Sequence, residues 1–272
     1  MECMYDFTYV KDDCTNDKEW VVLIHGIGGN SSMWRRQIAL LQDDYNTCAI
    51  TLPGHGFNNS NVVNMGAETF EQVALGIIRY LHTKGIKEIY LISVSMGTIV
   101  ANEMLKLDPA FIKKSLLTGA VCGVNTIMFW ECQLVVRCAD FIPYRALVSL
   151  CVHVLLPKST HKKSRTFLIQ ECLKMSKEEL VKWIFLLFKN MNYLKNRTLD
   201  SAKCLLVVGD EDYAFRGGNI SIARRCKLPI HVMKHCGHVV SLHRWREFNQ
   251  VMMNVLKNDA IPKEFNILPT AK

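Results

Sequence analysis

Proline and glycine are sparse, at 7 and 15 of 272 residues, which excludes a collagen-like or low-complexity chain. Charged residues occupy 21% of positions against 49% hydrophobic ones, too few to leave the chain disordered. Long hydrophobic runs are missing. The longest, Ala146–Leu156, is about half a membrane span and contains His153, so no transmembrane segment is expected. The stretch Met1–Asp13 is polar and acidic, without the basic and apolar regions of a signal peptide. None of the eleven cysteines, scattered from Cys3 to Cys236, stands in a C-x-x-C pair or at zinc-ligand spacing. An odd number of that kind suits a reducing compartment, where cysteine serves as a small buried hydrophobe. The glycine-rich runs have neither G-x-G-x-x-G spacing nor a P-loop ending, so nucleotide binding is not expected. A cytoplasmic protein with no cofactor and no metal is the expectation.

What is present is an alternation. Trp20–Ile24, Tyr45–Leu52, Glu88–Ser93, Lys114–Val121, Cys204–Val208 and Pro229–Met233 read as short buried strands bounded by turn residues. Between them, Ser31–Leu41, Glu68–His82 and Met96–Lys106 read as helices, and a last helix runs from about Val239 to Leu256. In Glu68–His82 the apolar residues Phe70, Val73, Ala74, Ile77, Ile78 and Leu81 recur at helical spacing. Ile222–Cys226 reads as a turn region. Strands apolar on both faces, alternating with helices, imply an α/β chain with a mostly parallel sheet covered on both sides. The rhythm breaks between Cys122 and Asp200. There Ser176 and Glu179 form a capping-box pattern ahead of Lys177–Lys189, whose run Trp183–Phe188 is apolar nearly all round. The interval is read as a helical insertion, or cap.

Three segments place a reactive residue just after a strand. In Ser93-Val94-Ser95-Met96-Gly97 a sharp strand-to-helix turn forces the central residue into strained backbone angles and lifts its side chain above the sheet. The helix N-terminus then favours a developing anion beside that hydroxyl. The second segment, Gly209-Asp210-Glu211-Asp212, offers a carboxylate cluster, and the third, His235-Cys236-Gly237-His238, two histidines. A serine hydroxyl needs a histidine to take its proton, and that histidine needs a carboxylate to hold its tautomer. By position alone Asp210, Glu211 and Asp212 compete for the acid, and His235 and His238 for the base.

These segments, in this order, resemble the α/β-hydrolase superfamily, in the manner of a capped serine hydrolase of the esterase or lipase kind. The resemblance spans the chain through His25-Gly26-Ile27-Gly28-Gly29, Pro53-Gly54-His55-Gly56, Ser93–Gly97, Gly209–Asp212 and Gly237-His238. It implies the α/β-hydrolase fold, with a core of residues 1–121 and 201–272 and a helical cap at 122–200. It further implies Ser95 as nucleophile, Asp212 as acid and His238 as base. The backbone N–H groups of Ile27 and Met96 are then the oxyanion donors. His25 and His55 are expected to be structural, and Cys236 a packed thiol. Departures from the pattern are Ser93 for the first glycine of the turn, Thr51 where aspartate is common, and Asn58 where serine is common. The last two support loops rather than chemistry.

The function expected is hydrolysis of a small-molecule carboxylic ester, small to medium and largely apolar, through an acyl-enzyme. The same triad can cleave lactones, amides, thioesters or C–C bonds, and the fold also serves as a non-catalytic receptor. Dehalogenation is disfavoured because the turn carries Ser95 rather than aspartate. Of the net charge of +8, +6 falls between Cys122 and Asp200, with 12 Lys and Arg against 6 Asp and Glu. Its basic stretch Lys158–Arg165 has no interleaved aromatics, so it reads as a solvated loop and not a nucleic-acid patch. The surplus is expected to steer anionic substrates or to make a weak contact with an anionic surface. No motif specifies an oligomeric state.

Overall fold

The computed structural model of the chain describes residues 9–10, 17–56, 69–123, 130, 133–135 and 137–262. Asn58 and most of Met1–Asp13 lie outside them. Among the described residues seven strands form one sheet: β1 (Tyr9–Val10), β2 (Trp20–Ile24), β3 (Asn46–Ile50), β4 (Ile89–Val94), β5 (Ile112–Thr118), β6 (Cys204–Gly209) and β7 (Ile230–Met233). Their order across the sheet is β1-β3-β2-β4-β5-β6-β7. The pairings from β3 to β7 are parallel, and β1, which no pattern in the sequence announces, adds antiparallel to β3. Val21–Ile24, Leu91, Ile92, Leu116 and Leu205–Val208 are wholly buried, as strands covered on both faces must be.

From β2 the chain steps outward to β3, then returns past β2 to β4. The direction of winding therefore reverses between β2 and β4, and the loops leaving their C-terminal ends diverge to opposite faces. That crevice receives Gly26-Ile27 from β2 and Ser95 from β4.

Helices α1 (Arg35–Leu41), α2 (Phe70–Thr83) and α3 (Gly97–Leu107) follow the first strands, and α8 (Arg216–Cys226), α9 (Val240–His243) and α10 (Trp245–Asn258) the last. Thr69 caps α2 by accepting the Gln72 N–H at 3.2 Å. Between β5 and β6 lie α4 (Tyr144–Leu155), α5 (Lys162–Cys172), α6 (Lys177–Lys189) and α7 (Met191–Asn196). Ser176 caps α6 through the Glu179 N–H, as its sequence pattern implies.

Several expectations are corrected. Ile222–Cys226 is not a turn but the end of α8. Gly217-Gly218 hid that helix. Glycine is required at 218 because a Cβ there would lie 2.8 Å from the Gly123 carbonyl oxygen. The fourth expected strand spans Ile112–Thr118 rather than Lys114–Val121, because Gly119 turns away in the left-handed region at φ 50°. The last helix breaks at Arg244 into α9 and α10. Phe185 stands out of the Trp183–Phe188 run at 56% exposure, beside a half-buried Ile184. Lys158–Arg165 is largely exposed, as expected, but it is not a loop. It forms a 3-10 turn, Ser159–His161, and the first turn of α5, with His161 fully buried.

Candidate active site

Ser95 follows β4 directly and holds φ at 53°, a left-handed conformation that costs a non-glycine residue of order 1–3 kcal/mol. Two neighbours enforce it. A Cβ on Gly97 would fall 2.5 Å from the His25 carbonyl oxygen and 2.7 Å from that of Ile24, so α3 starts in contact with the end of β2. A Cβ on Gly26 would meet the Ser95 Cβ at 2.8 Å. Ser93, by contrast, is tolerated at the turn's first position. It is wholly buried between β4 and β5, with its carbonyl accepting the Thr118 hydroxyl at 2.8 Å.

Asp212 and His238 arrive from the ends of β6 and β7. Glu211 N–H donates to the Cys236 carbonyl at 2.9 Å, and Cys236 N–H to Asp210 Oδ1 at 3.1 Å, lacing the two loops together. A Cβ on Gly209 would lie 2.1 Å from the Cys236 carbonyl oxygen. On the other side, a Cβ on Gly119 would approach the His238 carbonyl oxygen to 2.7 Å and its ring to 3.1 Å. No larger side chain, an acid included, fits at position 119.

The structure brings Ser95, His238 and Asp212 into one relay. Ser95 Oγ lies 2.9 Å from His238 Nε2, and His238 Nδ1 lies 2.8 Å from Asp212 Oδ2. Asp212 Oδ1 accepts the Phe215 N–H at 3.1 Å, and the Phe215 ring packs 4.8 Å from the imidazole. His238 and Asp212 are wholly buried, and Ser95 keeps 8% exposure. With Nδ1–H donating to a carboxylate, Nε2 is left as the acceptor for the Ser95 hydroxyl. The competing residues point elsewhere: His235 is exposed, and Asp210 accepts from the Cys236 backbone. Ile27 and Met96 flank Ser95 in the loop after β2 and at the head of α3. Neither backbone N–H has an acceptor among the described residues.

His25 and His55 shape the surrounding loops. His25 Nδ1 donates to the Gly26 carbonyl at 2.7 Å, and its Nε2 accepts the Leu52 N–H at 2.8 Å. Burial, and then the neighbouring His55, hold its pKa well below the usual value. Burial likewise pulls His55 down to about 4, against its hydrogen bond to the Pro53 carbonyl at 3.0 Å. Both rings are neutral. Thr51 accepts the Ser31 N–H at 3.2 Å and so supports the same loops. Burial pushes the Cys236 thiol far up, leaving it no thiolate character.

Sequence reasoning missed how the segment between β5 and β6 grips this site. Glu171 of α5 accepts from Ser32 Oγ at 3.0 Å, from Asn30 Nδ2 and from Lys174, just beyond the His25–Gly29 loop. Cys172 lies so close to Gly28 that a Cβ there would come within 2.7 Å of its sulfur. Trp183 of α6 donates to the Pro53 carbonyl at 3.1 Å. His161 Nε2 and Lys158 Nζ reach Glu211 at 2.8 and 2.7 Å. Apart from Lys174 with Glu171, these contacts join residues 50 or more positions apart, and no local pattern marks them. Among the described residues no group of three His, Cys, Asp or Glu could hold a metal, and no helix is long and apolar enough to cross a membrane. A surface depression of about 800 Å³, lined by Asp17, Lys18, Glu19, Asp44, Tyr45 and Lys257, opens at the other end of the sheet and contains none of the candidate residues.

Comparison with known proteins agrees with this architecture. A model described as the alpha/beta hydrolase family matches residues 21–251. The chain is 26% identical over 103 residues to the (E)-2-((N-methylformamido)methylene)succinate hydrolase of Acinetobacter baylyi, covering 38% of each chain. It is 32% identical over 85 residues to the 2-succinyl-6-hydroxy-2,4-cyclohexadiene-1-carboxylate synthase of Serratia proteamaculans, covering 31% of each. These curated relatives are thus matched over less than half of their length. A carboxylesterase structure from Nitrososphaera gargenis aligns with a TM-score of 0.72 at 20% identity, over 89% of this chain and 91% of that one. An enol-lactonase from Burkholderia xenovorans LB400 aligns with a TM-score of 0.72 at 15% identity, over 92% and 95%. At these identities the structural likeness is one of fold.

Proposed function

This chain belongs to the alpha/beta hydrolase family, and on that premise we propose that it cleaves carboxylic esters, small to medium and largely apolar, through an acyl-enzyme on Ser95. The observation that carries the reading is the unbroken contact from Ser95 Oγ through His238 to Asp212, at 2.9 and 2.8 Å. In this mechanism His238 Nε2 takes the hydroxyl proton as Ser95 Oγ bonds to the ester carbonyl carbon. Asp212 holds the imidazole in its tautomer and stabilises the imidazolium. The carbonyl oxygen becomes an anion against the N–H groups of Ile27 and Met96, at the positive end of α3. Collapse of the tetrahedral adduct expels the alkoxide, which takes the proton from His238. Water, deprotonated by His238, then attacks the acyl-enzyme, releases the acid and restores Ser95.

Residues 122–200 act in this reading as a cap that governs access. One charge of their basic surplus is consumed by Lys158 pairing with Glu211, while Lys174 with Glu171 and Lys182 with Glu179 pair inside the segment and leave its surplus unchanged. The remainder is available to steer anionic esters. Salt should then lower kcat/KM for an anionic ester and leave a neutral one unchanged; equal responses would remove steering from the account. The eight described cysteines are all free thiols, which suits a cytoplasmic protein.

The test is labelling by a fluorophosphonate, followed by a panel of p-nitrophenyl esters of increasing chain length beside lactones and amides. Wild type should be labelled and Ser95→Ala should not. Equal labelling of the two removes the serine-hydrolase reading. Turnover of lactones alone would shift the substrate class to cyclic esters, the class named for the enol-lactonase neighbour.

A further inference from the structure

The Lys158–His161 turn is engaged with the site more closely than an attachment point needs to be. His161 Nδ1 accepts the Lys158 N–H at 3.3 Å, so Nε2 carries the ring proton and donates it to Glu211 Oε2 at 2.8 Å. Lys158 Nζ donates to the other carboxylate oxygen at 2.7 Å. Glu211 immediately precedes Asp212. The same imidazole lies against the loop of the base: a Cβ on Gly237 would fall 2.9 Å from His161 Cε1 and 2.7 Å from Leu156 Cδ2. His161 also meets the His243 ring edge-on at 4.7 Å, and His243 Nδ1 accepts the Gly237 N–H at 3.1 Å. Gly237 immediately precedes His238. One wholly buried side chain from the segment between β5 and β6 therefore touches the residue next to the acid and the residue next to the base.

We infer that His161 is a positioning residue for the reaction proposed above: it fixes the spacing between the Asp212 loop and the His238 loop, and through them the Asp212–His238 hydrogen bond. The inference rests on the serine-hydrolase reading of that relay. The acid and the base sit on separate loops, and each is one peptide unit from a group that His161 holds. A shift of either loop passes to the relay almost undiminished, and a misplacement of about 1 Å costs on the order of a hundredfold in rate. An imidazole suits the place because it is flat enough to lie on Gly237 while donating to Glu211 from one nitrogen and accepting from the other. The exposed ammonium of Lys158 satisfies the second oxygen of Glu211 but touches neither Gly237 nor His243 in this way.

The test compares His161→Ala, His161→Gln and Lys158→Met with wild type. Their readouts are steady-state kinetics on a p-nitrophenyl ester, the pH profile of kcat/KM, fluorophosphonate labelling and the downfield proton resonance of the Asp212–His238 bond. In His161→Ala, kcat should fall about tenfold to a hundredfold with KM changed less than about threefold, while the acid limb of the profile moves and the downfield resonance shifts or vanishes. His161→Gln, whose amide can donate to Glu211 from a similar position, should recover most of kcat and the resonance. Lys158→Met should change kcat by less than about threefold. A lower melting temperature with kcat, acid limb and resonance unchanged would make His161 an anchor only and overturn the inference. Should His161→Ala not fold, His161→Gln and Glu211→Gln decide by the same readouts, an unaltered resonance in Glu211→Gln counting against the inference. Failure of wild type to react with the fluorophosphonate would remove the hydrolase reading by itself, whereas the resonance still reports whether His161 sets the relay.

Discussion

The loops around Ser95 are fixed by backbone against backbone, whereas the proposed cap is attached to them through side chains, apolar ones continuous with the core and polar ones in single pairs. Gly97 against the His25 and Ile24 carbonyls, Gly119 against that of His238, and Gly209 against that of Cys236 leave no room for even a methyl group. The cap holds on through Glu171 to Asn30 and Ser32, Trp183 to Pro53, Tyr193 to Glu103, and His161 with Lys158 to Glu211. Backbone contacts of the first kind do not titrate and do not rearrange without local unfolding. Side-chain pairs of the second kind can be made and broken singly. On the proposed function, the chemistry is set in the stiff half and access to it in the adjustable half.

The sharpest break of the stiff half is at Ser95 itself. Ser95→Gly should lower ester hydrolysis by at least about a thousandfold. It should also raise stability by up to about 1 kcal/mol, because glycine accepts a positive φ without strain. Activity retained in Ser95→Gly would contradict the nucleophile, and lost stability would contradict the strain. Next in size is Gly97→Ala, whose methyl group meets two carbonyl oxygens that belong to the sheet. A loss of about 3 kcal/mol is expected in urea unfolding. Ser93→Gly, at the matching position before Ser95, should cost less than about 1 kcal/mol, since Ser93 already fits. Equal costs at the two positions would show that the turn is not held from the β2 side.

The same division explains what the sequence revealed. Strand ends, glycine turns and the residues after them are local features, so Ser95, Asp212 and His238 could be singled out before any contact was known. Even the missing acid after β5 has a local signature in Thr118-Gly119-Ala120, whose glycine proves to lie beneath His238. Helix α8 escaped notice because Gly217-Gly218 lowers helix propensity, and packing against Cys122-Gly123 overrides it. Lys158–Arg165 departs from a loop for a different reason. Its composition is that of a solvated loop, and partners distant in sequence, Glu211, Gly237 and His243, bury His161. Long-range polar pairing has no periodicity to read.

Acid should separate the halves in order. His55 is held at about 4 in the folded chain against 6.5 when exposed. Below pH 6.5 the unfolded chain therefore takes up a proton that the folded one refuses, and stability is lost as pH falls towards 4. A shift of that size corresponds to about 3 kcal/mol in full and about 2 kcal/mol by pH 5. His25, depressed by burial and by His55, acts in the same direction. The cap carboxylates have a different window. Glu171 lies below the usual 4.5 despite its burial, because Lys174, Asn30 and Ser32 bond to it. Glu211 is lowered by Lys158 first, against burial, with help from His161. Their stabilisation is complete above 4.5 and is lost only as pH falls through their folded values. The stability gap between wild type and His55→Gln in urea should thus shrink by about 2 kcal/mol from pH 7.5 to pH 5. Hydrogen exchange in α5, relative to α3, should accelerate only below about 4.5. Loosening of α5 already at pH 5.5 would mean that the cap is held by other groups.

The smallest expected effect is the most specific to the cap. Trp183 is buried, its indole N–H on the Pro53 carbonyl and its ring 5.4 Å from His55 and 5.9 Å from Phe70. In Trp183→Phe the indole N–H is lost, yet the Pro53 carbonyl keeps a donor in His55 Nδ1 at 3.0 Å. The cost should therefore be that of one hydrogen bond and slightly poorer packing, about 1 kcal/mol, without the penalty of an orphaned carbonyl. If the cap's pairs act singly, this loss stays local: exchange quickens in α6, Ser95 labelling is unchanged, and α5 remains protected by Glu171. Quickening of α5 together with α6 would show instead that the cap releases as one body, and that its side-chain attachments are as cooperative as the backbone contacts beneath them.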